Sequence, residues 1–203
     1  MRGDVEDMVF WTETKSEKFS VKSLYYVYEL DNPSLFPSSC ISNVWVKPKI
    51  SFFVWEATWG KILTLDLIQK RGWAFANRCF LCYEKEETID HLLLHCTKTR
   101  VLWDLLFTLF GVSLVLLSSV RETLLSWHGS FVSKKRKKVW RATPLCIFWT
   151  VWKARNKLTF NDDVLLIQRL KYCFVFSLWS EAKLFIVDYP LTIVSFINWL
   201  GSS

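Results

Sequence analysis

The sequence predicts a mainly α-helical fold with a small N-terminal β-hairpin and one compact cysteine–histidine knuckle. Three observations predict it. Apolar residues recur at helical spacing, as in Val21, Leu24, Tyr25 and Tyr28, and again in Leu145, Phe148, Trp149 and Trp152. Capping residues, prolines and glycines mark helix starts and stops along most of the chain. Finally, Cys79, Cys82 and Cys96 fall close together, with His91 and His95 between the second and the third.

Taken in order, Met8-Val9-Phe10-Trp11, a polar stretch from Thr12 to Lys18 and then Phe19 read as a hairpin over residues 8–20. Ser20 is placed to cap the helix that carries Val21 to Tyr28. Asn32-Pro33-Ser34 ends that helix, and a polar loop runs through Ser42. Pro48 suits the first turn of the next helix, and Gly60 stops it. Phe52, Phe53, Trp55, Ala57 and Trp59 make that helix apolar on most sides, which predicts burial. Thr64 is the expected cap of a short helix with Leu65, Leu67 and Ile68, ended by Gly72. Thr88 is the expected cap of a helix bearing His91, Leu92, Leu94 and His95. Residues 101–120 read as a buried helix pair bent at Gly111, and Lys134 to Leu158 as one long helix. The best internal break is Ser126 to Ser133. No clean linker divides the chain.

Composition narrows the function classes. The chain has 203 residues, of which 51% are hydrophobic and 17% aromatic, so it can bury a core and is not intrinsically disordered. Six glycines and five prolines exclude collagen-like and low-complexity classes. The formal charge of +7 favours a polyanionic partner. The acidic start Met1 to Asp7 is followed by no apolar run of signal length, so the expected location is intracellular, nucleus or cytoplasm, and not secreted.

The knuckle reads Cys79-x2-Cys82-x8-His91-x4-Cys96. Thiolate and imidazole are zinc ligands, and a two-residue gap lets two cysteines face one ion from a tight turn. In a reducing compartment this pattern points to a metal rather than to disulfides. Spacing leaves the fourth ligand open. His95 shares a helical face with His91. Cys96 lies about 140° round from His91 on an ideal helix, so it joins the set only if the helix ends or loosens there. Four protein ligands make a structural zinc knuckle with no open position for catalysis.

At this point the residues resemble a known family. Lys18-Phe19-Ser20-Val21-Lys22-Ser23-Leu24-Tyr25 resembles the opening of the plant reverse-transcriptase zinc-binding domain. Trp45, Pro48-Lys49-Ile50-Ser51-Phe52-Phe53-Val54-Trp55, Gly60 to Thr64 and Lys70-Arg71-Gly72 follow in the family's order. So do Cys79-Phe80-Leu81-Cys82, Glu87-Thr88, His91-Leu92, Cys96 and Trp103. Leu24 stands where the family usually has alanine. The likeness covers about residues 8–110, which implies one domain there and leaves 111–203 as a helical extension carrying the basic patch. The segment Trp149 to Asn156, with Phe160, is similar to the tail that follows the domain in retrotransposon-derived proteins. The resemblance implies Cys79, Cys82, His91 and Cys96 as the ligand set. It also implies a place beside a non-LTR (LINE-type) retrotransposon reverse transcriptase. With Met1 at the start there is no room upstream for polymerase palm and fingers, so an excised fragment is expected.

No catalytic constellation emerges. Phe160-Asn161-Asp162-Asp163 matches a polymerase-like carboxylate pair, but it follows a helical segment and reads better as a turn and N-cap. The chain is therefore expected not to be an enzyme and to take no small-molecule substrate. From Lys134 to Lys157 the cations are Lys134, Lys135, Arg136, Lys137, Lys138, Arg141, Lys153, Arg155 and Lys157, with no acid. Clustered cations are the electrostatic footprint of phosphate binding. RNA or DNA is accordingly expected at Lys134, Lys135, Arg136, Lys137, Lys138 and Arg141. The knuckle carries Glu84, Glu86, Glu87 and Asp90 and is not expected to read phosphate. A reverse transcriptase or another protein is the other expected partner. The sum is a non-catalytic zinc-binding accessory module. The alternatives are an exapted or decaying protein-interaction domain and a membrane-associated protein through residues 101–120. The membrane alternative is disfavoured: only Leu105 to Val120 is free of charge, spanning about 24 Å against a hydrocarbon core of about 30 Å.

Overall fold

The computed structural model describes residues 41, 46–127, 132–133, 136–161, 164–184, 186 and 192–201. The hairpin expected at 8–20 and the helix beginning at Ser20 lie outside the described residues. Among the described residues there is no strand, and the fold is mainly helical. The helices described are α1 (Pro48–Thr58), α2 (Leu65–Lys70), α3 (Thr97–Phe110), α4 (Val120–Ser126), α5 (Lys137–Phe160), α6 (Ile167–Ala182) and α7 (Ile193–Gly201). A single π-turn, His91–His95, precedes α3.

Helix α1 begins where a proline belongs, with Pro48 in its first turn and no N–H wasted. It is less buried than its composition suggests. Phe53 and Ala57 are in the core, whereas Phe52 is exposed and Trp55 and Trp59 are half-buried. The buried Phe53 ring meets Trp149 and Trp152 of α5 at 5.4 and 5.6 Å. Glu181 at the end of α6 accepts the Lys47 backbone N–H at 2.9 Å and pairs with the Lys47 ammonium at 3.2 Å. A carboxylate at a helix N-terminus also complements the helix dipole.

Helices α3, α5 and α6 pack on one another around Trp103, Phe148 and Phe174, all fully buried. Trp103 makes edge contacts with Phe148 and Trp127, at centroid distances of 5.9 and 5.5 Å. Pro144 lies inside α5 and cannot donate to the Trp140 carbonyl one turn back. The Trp127 indole N–H supplies that bond at 2.9 Å, and its ring stacks on Trp140 at 4.4 Å. The α5 helix thus tolerates its proline because a side chain from outside the helix satisfies the orphaned carbonyl.

Residues 101–120 depart from the bent helix pair. Helix α3 stops at Gly111, whose φ of 64° is the left-handed cap glycine takes most readily. Residues 112–119 are not helical, and Val115 is 90% exposed. Helix then resumes at Val120, with Ser119 Oγ accepting the Glu122 N–H at 3.2 Å. Among the described residues no helix is long and apolar enough to cross a membrane. Helix α6 begins at Ile167, and Val164 and Leu166 before it are exposed.

Candidate metal centre

The centre is assembled from two turns on the helical core. The first is the Cys79–Lys85 turn. Cys79 N–H donates to the Lys85 carbonyl at 2.8 Å, and Tyr83 N–H returns to the Cys79 carbonyl at 2.9 Å. Tyr83 sits at φ 59°, which lets the chain reverse and aim the Glu84 N–H at Cys82 Sγ, 3.5 Å away. Phe80 and Leu81 fill the apolar gap between the cysteines, and Leu81 is buried.

The second turn carries the other two side chains. Thr88 acts as the expected cap, its Oγ1 accepting the His91 N–H at 3.1 Å. The helix then widens: the Cys96 N–H donates to the His91 carbonyl five residues back, at 2.6 Å. An i→i+5 bond closes a larger ring than the α-helical one, and such widened turns recur at functional sites. It brings Cys96 round toward His91 instead of leaving it on another face. The following helix braces this irregular turn. Thr99 Oγ1 donates to the Leu92 carbonyl at 2.7 Å, and the Trp103 indole N–H donates to the Leu93 carbonyl at 3.1 Å.

The four ligand atoms of Cys79, Cys82, His91 and Cys96 all lie within 4.8 Å of one another. Cys79 Sγ and Cys96 Sγ are 3.9 Å apart, and Cys82 Sγ and His91 Nε2 are 3.4 Å apart. Zinc–sulfur bonds of about 2.3 Å and zinc–nitrogen bonds of about 2.0–2.1 Å give tetrahedral edges of roughly 3.8 and 3.6 Å. Both measured edges match that size. The three cysteines are buried, and His91 is half-buried. Its Nε2 faces the sulfurs. Burial holds the His91 imidazole below its ordinary basicity, with Lys85 and His95 adding to the effect, so the neutral ligand form is favoured. The hydrogen bond between the thiols pushes Cys79 up and Cys96 down, so Cys96 is the readier thiolate of the two. His95 lies outside the group, with its exposed ring Nε2 3.1 Å from the Ser118 carbonyl oxygen.

One carboxylate ties the centre to its surroundings. Glu87, one of the four acids of the knuckle, is fully buried. Its Oε1 accepts the Leu65 N–H at 3.2 Å and the Arg155 Nε and Nη2 at 3.1 and 2.7 Å. Its Oε2 accepts the Phe80 N–H, inside the cysteine turn, at 3.3 Å. Glu87 therefore caps α2 at Leu65, the task expected of Thr64, whose hydroxyl turns to Asp66 Oδ1 at 2.6 Å. Asp90 is likewise engaged, its Oδ1 accepting the Val120 N–H at 2.8 Å. Arg155 leaves the expected basic run altogether: it is 3% exposed, and its guanidinium lies over Phe80 at 5.1 Å. Sequence reasoning missed this pair because the partners are 68 positions apart and each looked like a surface charge. The one available signal was Glu87 standing beside the cap Thr88.

The other nominated residues are placed as follows. Lys134 and Lys135 lie outside the described residues, as do Asp162 and Asp163 of the carboxylate pair. Arg136 donates through Nη1 to the Leu200 carbonyl and through Nε to Ser133 Oγ at 3.2 Å, joining the start of α5 to α7. Lys137 is half-buried, whereas Lys138 and Arg141 are exposed.

Three thiols and one imidazole, closed around a single point on a helical scaffold, define a structural zinc centre of the Cys3His type. Residues 19–103 match the family described as zinc-binding in reverse transcriptase. The match takes in all four metal-facing side chains, together with Glu87, Thr99 and Trp103, and stops before α4. No curated protein and no solved structure matches the chain.

Proposed function

We propose that this chain is a non-catalytic zinc-binding accessory module derived from a LINE-type retrotransposon reverse transcriptase of plant origin. The Cys79–Cys82–His91–Cys96 cluster inside the family-matched stretch carries this reading. All four members coordinate zinc, which leaves the ion no open position for water, so it holds the knuckle shut rather than activating a substrate. A zinc ion ligated this way contributes folding energy to the region it closes. RNA or DNA contacts the exposed cations at the start of α5, where Lys138 and Arg141 support the reading. Such contacts neutralise phosphates without reading sequence.

Native mass spectrometry tests the metal. One zinc per chain is expected, removed by chelator. Cys96→Ser should lose the ion while His95→Ala keeps it. Retention by Cys96→Ser, or a folded wild-type chain with no metal, would defeat the assignment.

A further inference from the structure

Helix α6 has an unusual outer face. Its core side is Leu170, Phe174, Leu178 and Glu181, all buried. On the opposite side Arg169, Tyr172, Phe176, Trp179 and Lys183 fall at i, i+3, i+7, i+10 and i+14, close to one line along the helix. Tyr172 is 60% and Phe176 44% exposed, and their rings stack at 6.1 Å with 22° between planes. Phe176 continues to Trp179 at 5.7 Å, and the Lys183 ammonium stands over the Trp179 ring at 4.1 Å. Among the described residues no acid lies on this line. A contiguous exposed aromatic strip marks an interaction surface.

At the N-terminal end of the strip lies a cleft between α5 and α6. Lys153, Lys157 and Arg169 stand around an apolar floor that includes Leu158 and Leu170. Its volume is about 80 Å³. Small-molecule pockets run to roughly 300–1,000 Å³, so the cleft suits one compact group and not a cofactor. Among the described residues no acid lines the cleft, and the exposed Lys153 and Lys157 suit an anion. Partial burial, with Lys49 and Lys157 close by, holds the Lys153 ammonium below its ordinary value, and a bound anion would relieve that crowding.

We propose that this surface binds single-stranded nucleic acid, with a backbone phosphate in the Lys153–Lys157–Arg169 cleft and unpaired bases stacked on Tyr172 and Phe176. Charge complementarity selects the occupant. An apolar partner protein would use the aromatics but not the cation cluster, whereas a duplex would use the cations but keep its bases out of reach. Aromatic platforms beside a cationic track are how unpaired strands are held without sequence preference. The inference rests on the nucleic-acid reading above and adds a surface on α6 and the second half of α5 to the cations at the start of α5.

The test is fluorescence anisotropy of the zinc-loaded full chain with a labelled 20-mer of oligo(dT) and with a duplex of equal length. The wild type should prefer the single strand. Tyr172→Ala with Phe176→Ala should weaken single-strand binding by about tenfold or more, with duplex binding little changed. Tyr172→Trp should retain affinity, since stacking needs only a ring. Lys153→Gln with Lys157→Gln should flatten the slope of log affinity against log salt by about 0.7, the value for one phosphate of a single strand. These positions are exposed, and unchanged thermal melts and zinc content would show the variants folded. Unchanged single-strand affinity in both double variants, with loss on replacing residues 134–138, would overturn this surface and keep the general reading. No binding by the wild type would end both. Loss of self-association in the aromatic variant at unchanged affinity would assign the strip to contact between copies, and would also overturn the proposal.

Discussion

Arg155→Met isolates the buried ion pair behind the metal centre. Glu87 is 0% and Arg155 3% exposed, and two of the four hydrogen bonds to the carboxylate come from the guanidinium. Removing one partner of a buried pair strands the other charge and typically costs about 3–5 kcal/mol. Against a usual domain stability of about 5–15 kcal/mol, that is a large fraction. The carboxylate would keep the Leu65 and Phe80 N–H groups, which places the expected loss at the lower end, about 3 kcal/mol. Urea unfolding of the zinc-loaded chain measures it. Glu87→Gln paired with Arg155→Met removes both charges and should recover a good part of the loss, giving a coupling energy well above 1 kcal/mol in the double-mutant cycle. The Phe80 N–H that Glu87 receives lies in the cysteine turn, so Glu87→Ala should also weaken zinc binding, by about 10–100-fold, as losses in a metal's outer shell do. An Arg155→Met cost below 1 kcal/mol, or a double variant equal to the sum of the singles, would refute the reasoning.

Two further outcomes concern the widened turn. Trp103→Phe keeps most of the ring but leaves the buried Leu93 carbonyl without its indole donor; a loss of about 1–3 kcal/mol is expected in thermal melts, together with weaker zinc binding, and an unchanged melt would separate Trp103 from the turn. In the metal-free chain the depressed basicity of His91 makes the unfolded state the stronger proton binder. Stability should therefore fall as pH drops below about 6.5, the unfolded histidine value, and continue to fall until the folded value is passed. Urea midpoints of the metal-free protein against pH, compared with those of His91→Gln, read this directly. A variant with the same acid-side slope would show that another group is responsible.

The parts legible in the sequence were those written locally. Pro48 at the start of α1, the Thr88 cap and the cysteine spacing each act within a few residues, and each stands as expected. The turn that brings Cys96 to His91 was legible only as a condition, since one extra residue in a helical ring leaves no mark on composition. Residues 112–119 are rich in apolar side chains without being helical. Gly111 in the left-handed region ends the helix, and Val112, Ser113 and Val115 do not restart it. Glu87 and Arg155 were invisible for the opposite reason. Periodicity reports which face of an element is buried; it cannot report that two charges from distant elements will be buried together.

The proline in α5 bears on how the molecule can come together. A helix normally closes its own ladder one residue at a time, so its formation is a local event. In α5 one rung is completed by the Trp127 indole, which belongs to the segment after α4. The turns before Pro144 are then worth forming only once that segment has docked. Helicity at residues 137–143 is a property of the assembled protein, and a peptide cut to α5 alone would fray up to its proline. The same contact places two indoles face to face at 4.4 Å, close enough for their excited states to mix. An optical reporter thus sits at that joint, and near-ultraviolet dichroism of the Trp127–Trp140 pair would follow its closure in time.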